Sequence, residues 1–277
     1  MKAFHPEKTL FTNYLRVIVL ISVITTVRNE ERNLSSLLDS LVVQEPPIEV
    51  ILVDAHSKDR TVEIGKSYSS KYPFIKIVVY GGTRASGRNY GVKLAKGEIV
   101  AFIDGDAIVN PFWTERIRRA MSKSTVVAGR TINIGYRPFE DLERVELIYK
   151  GYDITYPSTN LAYRKDVFQS IGGFDEWFIT AEDIDLNLRA VQAGNSIHYE
   201  QEAIVYHRTR GSIYDFVRQA FWNGAGRKQL TLKHGGLWSN YRPIEMVRRE
   251  VTFWSLIRLT GAISGYMGYK MFGKPPG

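Results

Sequence analysis

The sequence predicts an α/β protein with a parallel sheet, and three observations support this. Short apolar strands alternate with helical segments over about 100 residues, a pattern typical of β-α-β units. The first strand, Val17 to Ile24, is an almost unbroken apolar and β-branched run, as in strands buried on both faces. Acidic residues follow two later strands, Asp54 after one and the pair Asp104 and Asp106 after another. Because ligands bind at the carboxyl ends of strands in such sheets, this edge is the predicted site.

Local signals place the elements along the chain. Leu34, Leu37 and Leu38 repeat at helical spacing, and Pro46 and Pro47 end that helix. Short apolar runs mark the strands, and capping residues or glycines separate them from the helices. The predicted elements are strand 17–24, helix 30–43, strand 50–53, helix 60–71, strand 75–80, helix 88–95, strand 99–103, helix 111–122, strand 126–129, a helix from 182, strand 203–207 and helix 212–230.

The composition excludes several classes of protein. The 277 residues carry 37 Lys and Arg against 29 Asp and Glu, and a 44% hydrophobic share indicates a globular chain rather than a disordered one. The absence of cysteine excludes disulfides, zinc-thiolate sites and thiol nucleophiles. Met1 to Arg16 lacks the apolar core of a signal peptide, so no export is expected. Residues 208–277 are rich in Lys and Arg, which indicates a phosphate-rich substrate, a membrane surface or nucleic acid as partner.

Carboxylates at the predicted edge suit metal and proton chemistry. Asp104 and Asp106 flank Gly105, and two hard oxygen ligands at such a turn suit Mg²⁺ or Mn²⁺ on a substrate's phosphates. A solvated turn is the plain alternative. The second cluster begins with Glu182 and Asp183 at the start of a predicted helix, where capping accounts for at least one carboxylate. A carboxylate near a metal-bound phosphate can take a proton from an acceptor hydroxyl, which makes Asp183 a candidate general base.

Four further polar residues lie near these clusters in the predicted fold. Arg84 and Arg88 flank a Ser-Gly pair and can meet phosphate oxygens or exposed carboxylates. Asp54 follows a strand and either faces a bound nucleotide or caps the next helix. His207 ends a strand and is either a further metal ligand or a surface residue.

Short motifs in one order along the chain carry a family resemblance. They are Val23 to Glu30, Val53 to Thr61, Arg88 to Gly91, Phe102 to Asp106, Asn160 to Ala162, Gly172 to Glu176 and Glu182 to Arg189. Over about Ile21 to His207, the chain resembles the family 2 glycosyltransferases, enzymes of the GT-A fold. The resemblance implies a Rossmann-like, mostly parallel central sheet flanked by helices.

The resemblance also implies a reaction and its residues. A hexose would move from a nucleotide-diphospho sugar in one inverting displacement, with Mn²⁺ or Mg²⁺ on the diphosphate. Asp183 would act as the base, with Glu182 beside it as a second catalytic carboxylate. The implied nucleotide-binding residues are Thr25, Val27, Glu30, Asp54, Arg84, Arg88 and Asp104. The implied metal ligands are Asp104, Asp106 and His207.

The end of the chain predicts contact with a membrane surface. Residues 212–230 form a predicted amphipathic helix, for which ordinary core packing is the alternative. Arg258 and Lys270 interrupt the apolar stretch from Phe253 to Phe272, which favours lying in the interface over spanning the bilayer. The predicted division is a catalytic domain at 1–210 and a C-terminal amphipathic segment at 211–277.

The resemblance implies substrates as well. The expected acceptor is a polyprenyl-type, lipid-linked glycan at the cytoplasmic face of the cell membrane, and the expected donor is GDP-mannose, with a UDP-sugar as the alternative. Asp185, Trp222 and Arg227 are expected on the acceptor and membrane side, and no nucleic acid partner is expected. The competing prediction is a non-catalytic, basic α/β protein that binds membrane or nucleic acid.

Overall fold

A computed structural model describes residues 19–136, 145–209, 211–237 and 252–274 of the chain. In this part of the chain the strands are β1 (Ile21–Val27), β2 (Ile48–Asp54), β3 (Ile75–Val79), β4 (Ile99–Phe102), β5 (Ala107–Val109), β6 (Val126–Ile134), β7 (Ile148–Tyr149), β8 (Tyr152–Asp153), β9 (Leu161–Arg164) and β10 (Ile197–Arg208). The helices are α1 (Leu34–Val42), α2 (Thr61–Lys71), α3 (Arg84–Leu94), α4 (Trp113–Met121), α5 (Lys165–Ser170), α6 (Glu182–Gln192), α7 (Ile213–His234) and α8 (Phe253–Phe272), with a 3-10 turn at Ser158–Asn160.

Eight of these strands form one sheet in the order β3-β2-β1-β4-β9-β6-β10-β5, while β7 and β8 form a separate hairpin. Strands β1 to β4, β6 and β10 run in one direction, and β9 and β5 run in the opposite one. The predicted α/β class and mostly parallel sheet are confirmed. The two antiparallel strands were not predicted, because runs of three and four residues are too short to give a periodic signal.

The apolar core lies in two layers, one on each face of the sheet. Alternate residues of β1 and β2 point to opposite faces, so Val23 and Ile24 are both buried in different layers. One layer packs against α1, α2 and α4, and the other against α3, α5, α6 and part of α7. The leucine stripe of α1 is wholly buried, and each such side chain contributes roughly 1.5–3 kcal/mol of transfer free energy.

Several predicted boundaries shift in the structure. Strand β1 continues to Val27, and residues 17 and 18 of its prediction lie outside the described residues, as do residues 1–16. Helix α3 begins four residues before its predicted start because the Thr83 hydroxyl accepts a 3.1 Å hydrogen bond from the Ser86 amide and caps it. Strand β10 begins at Ile197, six residues earlier than predicted.

Helices α7 and α8 run side by side in the same direction. Phe216 packs against Trp254, and Lys228 lies over the ring of Tyr266, so both helices advance together. Their backbones touch at a glycine, since a Cβ on Gly265 would lie 1.8 Å from a carbonyl oxygen of α7. No helix in the described residues is both long and apolar enough to cross a bilayer. The division of the chain at residue 210 stays a prediction.

Candidate active site

The candidate site lies at the edge of the sheet where the parallel strands end. Strands β1, β2 and β10 end there at Val27, Asp54 and Arg208, and β4 leads there into the loop with Asp104. The antiparallel strands β5 and β9 begin at the same edge. The topology therefore brings residues from widely separated segments to one place, as expected for a ligand site in an open α/β sheet.

Asp104, Asp106 and His207 form a cluster with the geometry of a metal site. Their ligand atoms all lie within 4.8 Å of one another. The Nε2 atom of His207 is 3.3 Å from an Asp106 carboxylate oxygen and 3.9 Å from one of Asp104. Strand β5 pairs antiparallel with β10 and sets Ala107 opposite His207, which explains why Asp106 reaches the imidazole. Two carboxylates and an imidazole suit Mn²⁺, and the carboxylates also suit Mg²⁺.

Two buried polar atoms at the ends of β1 and β2 have no hydrogen-bond partner within the described residues. They are Oγ1 of Thr25 and Oδ1 of Asp54, both on fully buried side chains. The other Asp54 oxygen accepts a 2.9 Å hydrogen bond from the Ser57 amide, which orients the carboxylate. An unpaired buried polar atom is costly, so these two atoms fit a ligand with polar groups such as a nucleotide base or ribose.

The remaining predicted nucleotide-binding residues lie around this edge. Val27 is buried, and a Cβ on Gly105 would lie 2.9 Å from its side chain, so the loop of Asp104 crosses closely over β1. The Glu30 carboxylate accepts a 2.8 Å hydrogen bond from the Asn33 side chain. Arg84 is exposed at the first turn of α3.

The structure corrects the prediction for Arg88. Its side chain is only 2% exposed and donates 2.8 Å hydrogen bonds to both Asp104 and Glu182. Arg88 therefore meets carboxylates, which was one of its two predicted partners, and its guanidinium is not presented to a nucleotide. Burial raises the pKa of Asp104, but the positive charges of Arg88 and His207 outweigh this and hold the pKa below its usual value.

Asp183 lies half-buried in the first turn of α6. Its oxygens accept hydrogen bonds from the Ser158 amide at 3.2 Å and the Ile184 amide at 2.9 Å. Burial and the neighbouring charge of Glu182 raise the pKa of Asp183 to about 6. A carboxylate with this pKa is ionised near neutral pH and is more basic than an ordinary aspartate, as a general base requires.

The structure corrects the catalytic assignment of Glu182. Its carboxylate is nearly inaccessible and is held by Arg88. With a side chain that is only 6% exposed, Glu182 presents almost no surface to a substrate. Its charge is one cause of the raised pKa of Asp183.

Asp185 is also misassigned by the acceptor-side prediction. The side chain is fully buried. Its carboxylate oxygens lie 2.7 Å from side-chain nitrogens of Arg189, Lys233 and His234. Burial raises the pKa of Asp185, but these partners, His234 first, lower it to about 2. Asp185 thus ties α6 to the end of α7, and it does not face an acceptor.

The other two acceptor-side residues lie on α7. Trp222 is 38% exposed, and Arg227 is half-buried. Their positions on this helix are compatible with the predicted membrane side, and their role stays a prediction.

A contact that was not predicted from the sequence joins α7 to the loop before Asp183. Gln229 is fully buried, accepts from the Ile179 amide at 2.9 Å and donates to the Trp177 carbonyl at 2.8 Å. The Thr180 hydroxyl donates to the Trp222 carbonyl. A glutamine among the buried positions of a predicted amphipathic helix was the available signal.

Comparisons with known proteins identify relatives along most of the chain. A model described as Glycosyl transferase family 2 matches residues 22–172, and one described as Glycosyl transferase family group 2 matches residues 99–271. Glycosyltransferase AglE of Haloferax volcanii is 29% identical, over 76% of this chain and 73% of AglE. A Methanococcus voltae protein is 26% identical, over 78% of this chain and 74% of its own length. Its name is dolichyl N-acetyl-α-D-glucosaminyl phosphate 3-β-D-2,3-diacetamido-2,3-dideoxy-β-D-glucuronosyltransferase. The chain spans only 48% of a similar Mycobacterium tuberculosis pre-mycofactocin glycosyltransferase, to which it is 28% identical.

Solved structures share the fold. Mannosyltransferase PcManGT from Pyrobaculum calidifontis, in complex with GDP-Man and Mn²⁺, matches with a TM-score of 0.61 and 19% identity, over 92% of this chain and 76% of that one. S. aureus TarS 1-349 in complex with UDP-GlcNAc matches with a TM-score of 0.60 and 19% identity, over 90% of this chain and 81% of the TarS chain. These matches confirm the predicted GT-A fold. The family model covers more than half of this chain, which therefore belongs to glycosyltransferase family 2, enzymes that transfer a sugar from a nucleotide sugar.

Proposed function

We propose that this enzyme transfers mannose from GDP-mannose to a lipid-linked, polyprenyl-type glycan with inversion, in a metal-dependent reaction at a membrane surface. The observation that carries the proposal is the cluster of Asp104, Asp106 and His207, which Arg88 joins through Asp104 to Glu182, the residue next to Asp183. The cluster can bind the diphosphate of a donor through a cation, and Asp183 can accept a proton from the acceptor. A single displacement needs both groups.

The roles of the residues follow from their positions. Asp106 and His207 would hold Mn²⁺ or Mg²⁺, which when bound offsets the charge that develops on the departing nucleoside diphosphate. The buried unpaired atoms of Thr25 and Asp54 would bind the base or ribose. Asp183 would take the proton from the acceptor hydroxyl as that oxygen bonds to the anomeric carbon. The bond from that carbon to the diphosphate oxygen breaks in the same step.

The preference for GDP-mannose over a UDP-sugar draws its support from one structural neighbour. PcManGT holds GDP-Man and Mn²⁺, whereas TarS holds UDP-GlcNAc. The two proteins are equally distant from this chain in sequence, at 19% identity each, and the experiment below therefore compares both donors.

The proposed acceptor and location draw their support from a relative and from the surface of α8. The name of the Methanococcus voltae relative specifies a dolichyl-linked substrate. On α8, Leu256, Leu259, Ile263 and Met267 follow one another at helical spacing, and all are exposed. Arg258 and Lys270 lie on the same helix. An exposed apolar stripe accompanied by basic residues suits the boundary between headgroups and acyl chains, here at the cytoplasmic face of the cell membrane.

The experiment offers the enzyme two donors and two acceptors. Detergent-purified protein with Mn²⁺ receives labelled GDP-mannose or UDP-GlcNAc, together with either a polyprenyl-diphosphate-linked disaccharide or the same disaccharide released from the lipid. The proposal predicts transfer from GDP-mannose to the lipid-linked form, which EDTA abolishes. Transfer only from UDP-GlcNAc would contradict the proposed donor. Equal transfer to the released disaccharide would contradict the proposed acceptor.

A further inference from the structure

One buried guanidinium joins the two halves of the candidate active site. The Nη2 atom of Arg88 donates to Asp104, and its Nη1 atom donates to Glu182, each at 2.8 Å. Asp104 is 16 residues from Arg88 in sequence and Glu182 is 94 residues from it, so the two carboxylates are 94 − 16 = 78 residues apart. The guanidinium also lies 5.4 Å from the ring centre of Phe174. Its position is therefore fixed by charge on two sides and by an aromatic ring on a third.

The two partners of Arg88 lie in different parts of the candidate active site. Asp104 is part of the metal cluster, with its second oxygen turned toward His207. Glu182 directly precedes Asp183 in the first turn of α6. In a displacement at the anomeric carbon, the leaving diphosphate and the attacking hydroxyl lie on opposite sides of the sugar. The distance between the metal cluster and Asp183 must then match the length of that assembly.

The segment that carries Arg88 is itself held firmly against the sheet. A Cβ on Gly91 would lie 2.5 Å from the Ile24 side chain, so α3 packs directly on β1. Asn89 exchanges two hydrogen bonds with the backbone of Phe174, one of 2.8 Å and one of 2.9 Å. Arg88 therefore projects from a helix that is fixed against the sheet. Its planar guanidinium donates to both carboxylates and so restricts the positions of Asp104 and Glu182.

We propose that Arg88 is a positioning residue that sets the separation between the metal cluster and the base Asp183. It acts through Asp104 and Glu182 and does not bind the nucleotide. A lysine in its place keeps the charge but has a single nitrogen, which cannot satisfy both carboxylates in the arginine's geometry. A misplacement of about 1 Å is enough to lower turnover by roughly 100-fold, because reacting atoms must be aligned.

The test measures steady-state kinetics of Arg88→Lys against a matched control. The assay follows release of nucleoside diphosphate from whichever nucleotide sugar the wild type turns over, so it rests on sugar transfer alone. It gives its answer even if the proposed mannose donor or lipid acceptor is wrong. Arg118→Lys is the control, because Arg118 also bridges a carboxylate and backbone carbonyls but lies near Val19 and Glu45, away from the site edge.

The expected result for Arg88→Lys is a fall in kcat of about 100-fold with a donor KM within about 3-fold of the wild type, since only alignment is lost. Arg118→Lys should keep the wild-type kcat. Measured at pH 8, where Asp183 is ionised with or without the Glu182 charge, Glu182→Gln leaves Arg88 on Asp104 and should lower kcat by about 10-fold with an unchanged donor KM. The double variant Arg88→Lys with Glu182→Gln should be no slower than Arg88→Lys, because both changes break one bridge.

Three results would overturn the inference. One is an Arg88→Lys variant that is folded and retains its kcat. Another is a loss confined to donor KM and to nucleotide affinity, which would make Arg88 a nucleotide ligand. A third is a double variant whose loss is the product of the two single losses. If Arg88→Lys does not fold, the Glu182→Gln variant decides, because an unchanged kcat there removes the bridge from the mechanism.

Discussion

The hydroxyl of Thr180 donates a 2.8 Å hydrogen bond to the backbone carbonyl of Trp222. This contact joins the surface helix α7 to the loop that leads into α6 and Asp183. Gly226 permits it, because a Cβ there would lie 2.6 Å from the Thr180 carbonyl oxygen. The helix that carries the predicted membrane side and the helix that carries the predicted base thus meet at one loop.

Replacement of Gln229 by alanine should loosen this joint. The change removes the two part-buried hydrogen bonds to the Ile179 amide and the Trp177 carbonyl, each of which contributes about 0.5–1.5 kcal/mol to the free energy of unfolding. Turnover should also fall, because the loop positions Asp183. Chemical denaturation and kcat test both effects, and the exposed Gln192→Ala serves as the control. A free energy of unfolding equal to that of the wild type would show that the two hydrogen bonds of Gln229 do not stabilise the fold.

The metal cluster predicts a difference between Mn²⁺ and Mg²⁺. Imidazole nitrogen is a better ligand for Mn²⁺ than for Mg²⁺, which prefers oxygen and retains water. His207→Ala should therefore weaken Mn²⁺ binding by about tenfold and Mg²⁺ binding much less. His198→Ala, on the same strand but half-exposed away from the cluster, should change neither. Metal titrations in the presence of nucleotide test this, and equal losses for both ions would remove His207 from the ligand set.

The raised pKa of Asp183 predicts how the rate depends on pH. The pKa of Asp183 is about 6, so at lower pH its carboxyl is protonated and cannot accept a proton from the acceptor hydroxyl. The rate should therefore rise as pH increases through about 6 and level off above it, measured as kcat at saturating metal and donor. A rate that is already maximal at pH 5 would speak against Asp183 as the base.

The same shift predicts a change in stability with pH. Because the folded-state pKa of Asp183 lies above its value of 3.8 in the unfolded chain, its ionisation destabilises the fold as pH rises through about 6. The Asp183→Asn variant does not ionise there. Its stability relative to the wild type should improve by on the order of 2 kcal/mol between pH 4 and pH 8. Denaturation curves at the two pH values give this difference, and a constant difference would refute the shift.

The apolar stripe of α8 predicts binding to vesicles. Leu259 and Ile263 are 50% and 55% exposed, and serine at both positions removes apolar area that a bilayer would cover. The double variant should bind anionic vesicles at least about tenfold more weakly at unchanged melting temperature. Val43→Ser, at a 62% exposed residue directly after α1, is the control and should bind as the wild type. If all three proteins sediment equally with vesicles, the stripe has another role.

The sequence was sufficient for the features that depend on local patterns. Strand runs and helical spacing predicted the α/β class, and the position of Asp104 and Asp106 after a buried strand predicted that both lie at the edge where the parallel strands end. Family membership shows that the non-catalytic alternative is wrong. These predictions succeed because periodicity and strand ends are encoded in neighbouring residues.

The errors concern contacts between distant segments. Arg88 and Glu182 lie 94 residues apart, and nothing in either neighbourhood indicates that they form a buried pair. Asp185 is two residues from a candidate base in sequence, but helical geometry turns it inward toward α7. The antiparallel pairing of β5 with β10, which brings Asp106 to His207, is equally invisible to local patterns.

The most direct test of the account is a calorimetric titration of GDP, with UDP in parallel, into the wild type and two variants, in Mn²⁺ and in EDTA. Asp106→Asn removes a proposed metal ligand, and Asp183→Asn removes the proposed base. The account predicts that the wild type and the Asp183→Asn variant bind nucleotide equally well in Mn²⁺, and that both bind it poorly in EDTA. The Asp106→Asn variant should bind nucleotide poorly in both conditions. Nucleotide binding by Asp106→Asn that equals the wild type in Mn²⁺ would contradict it.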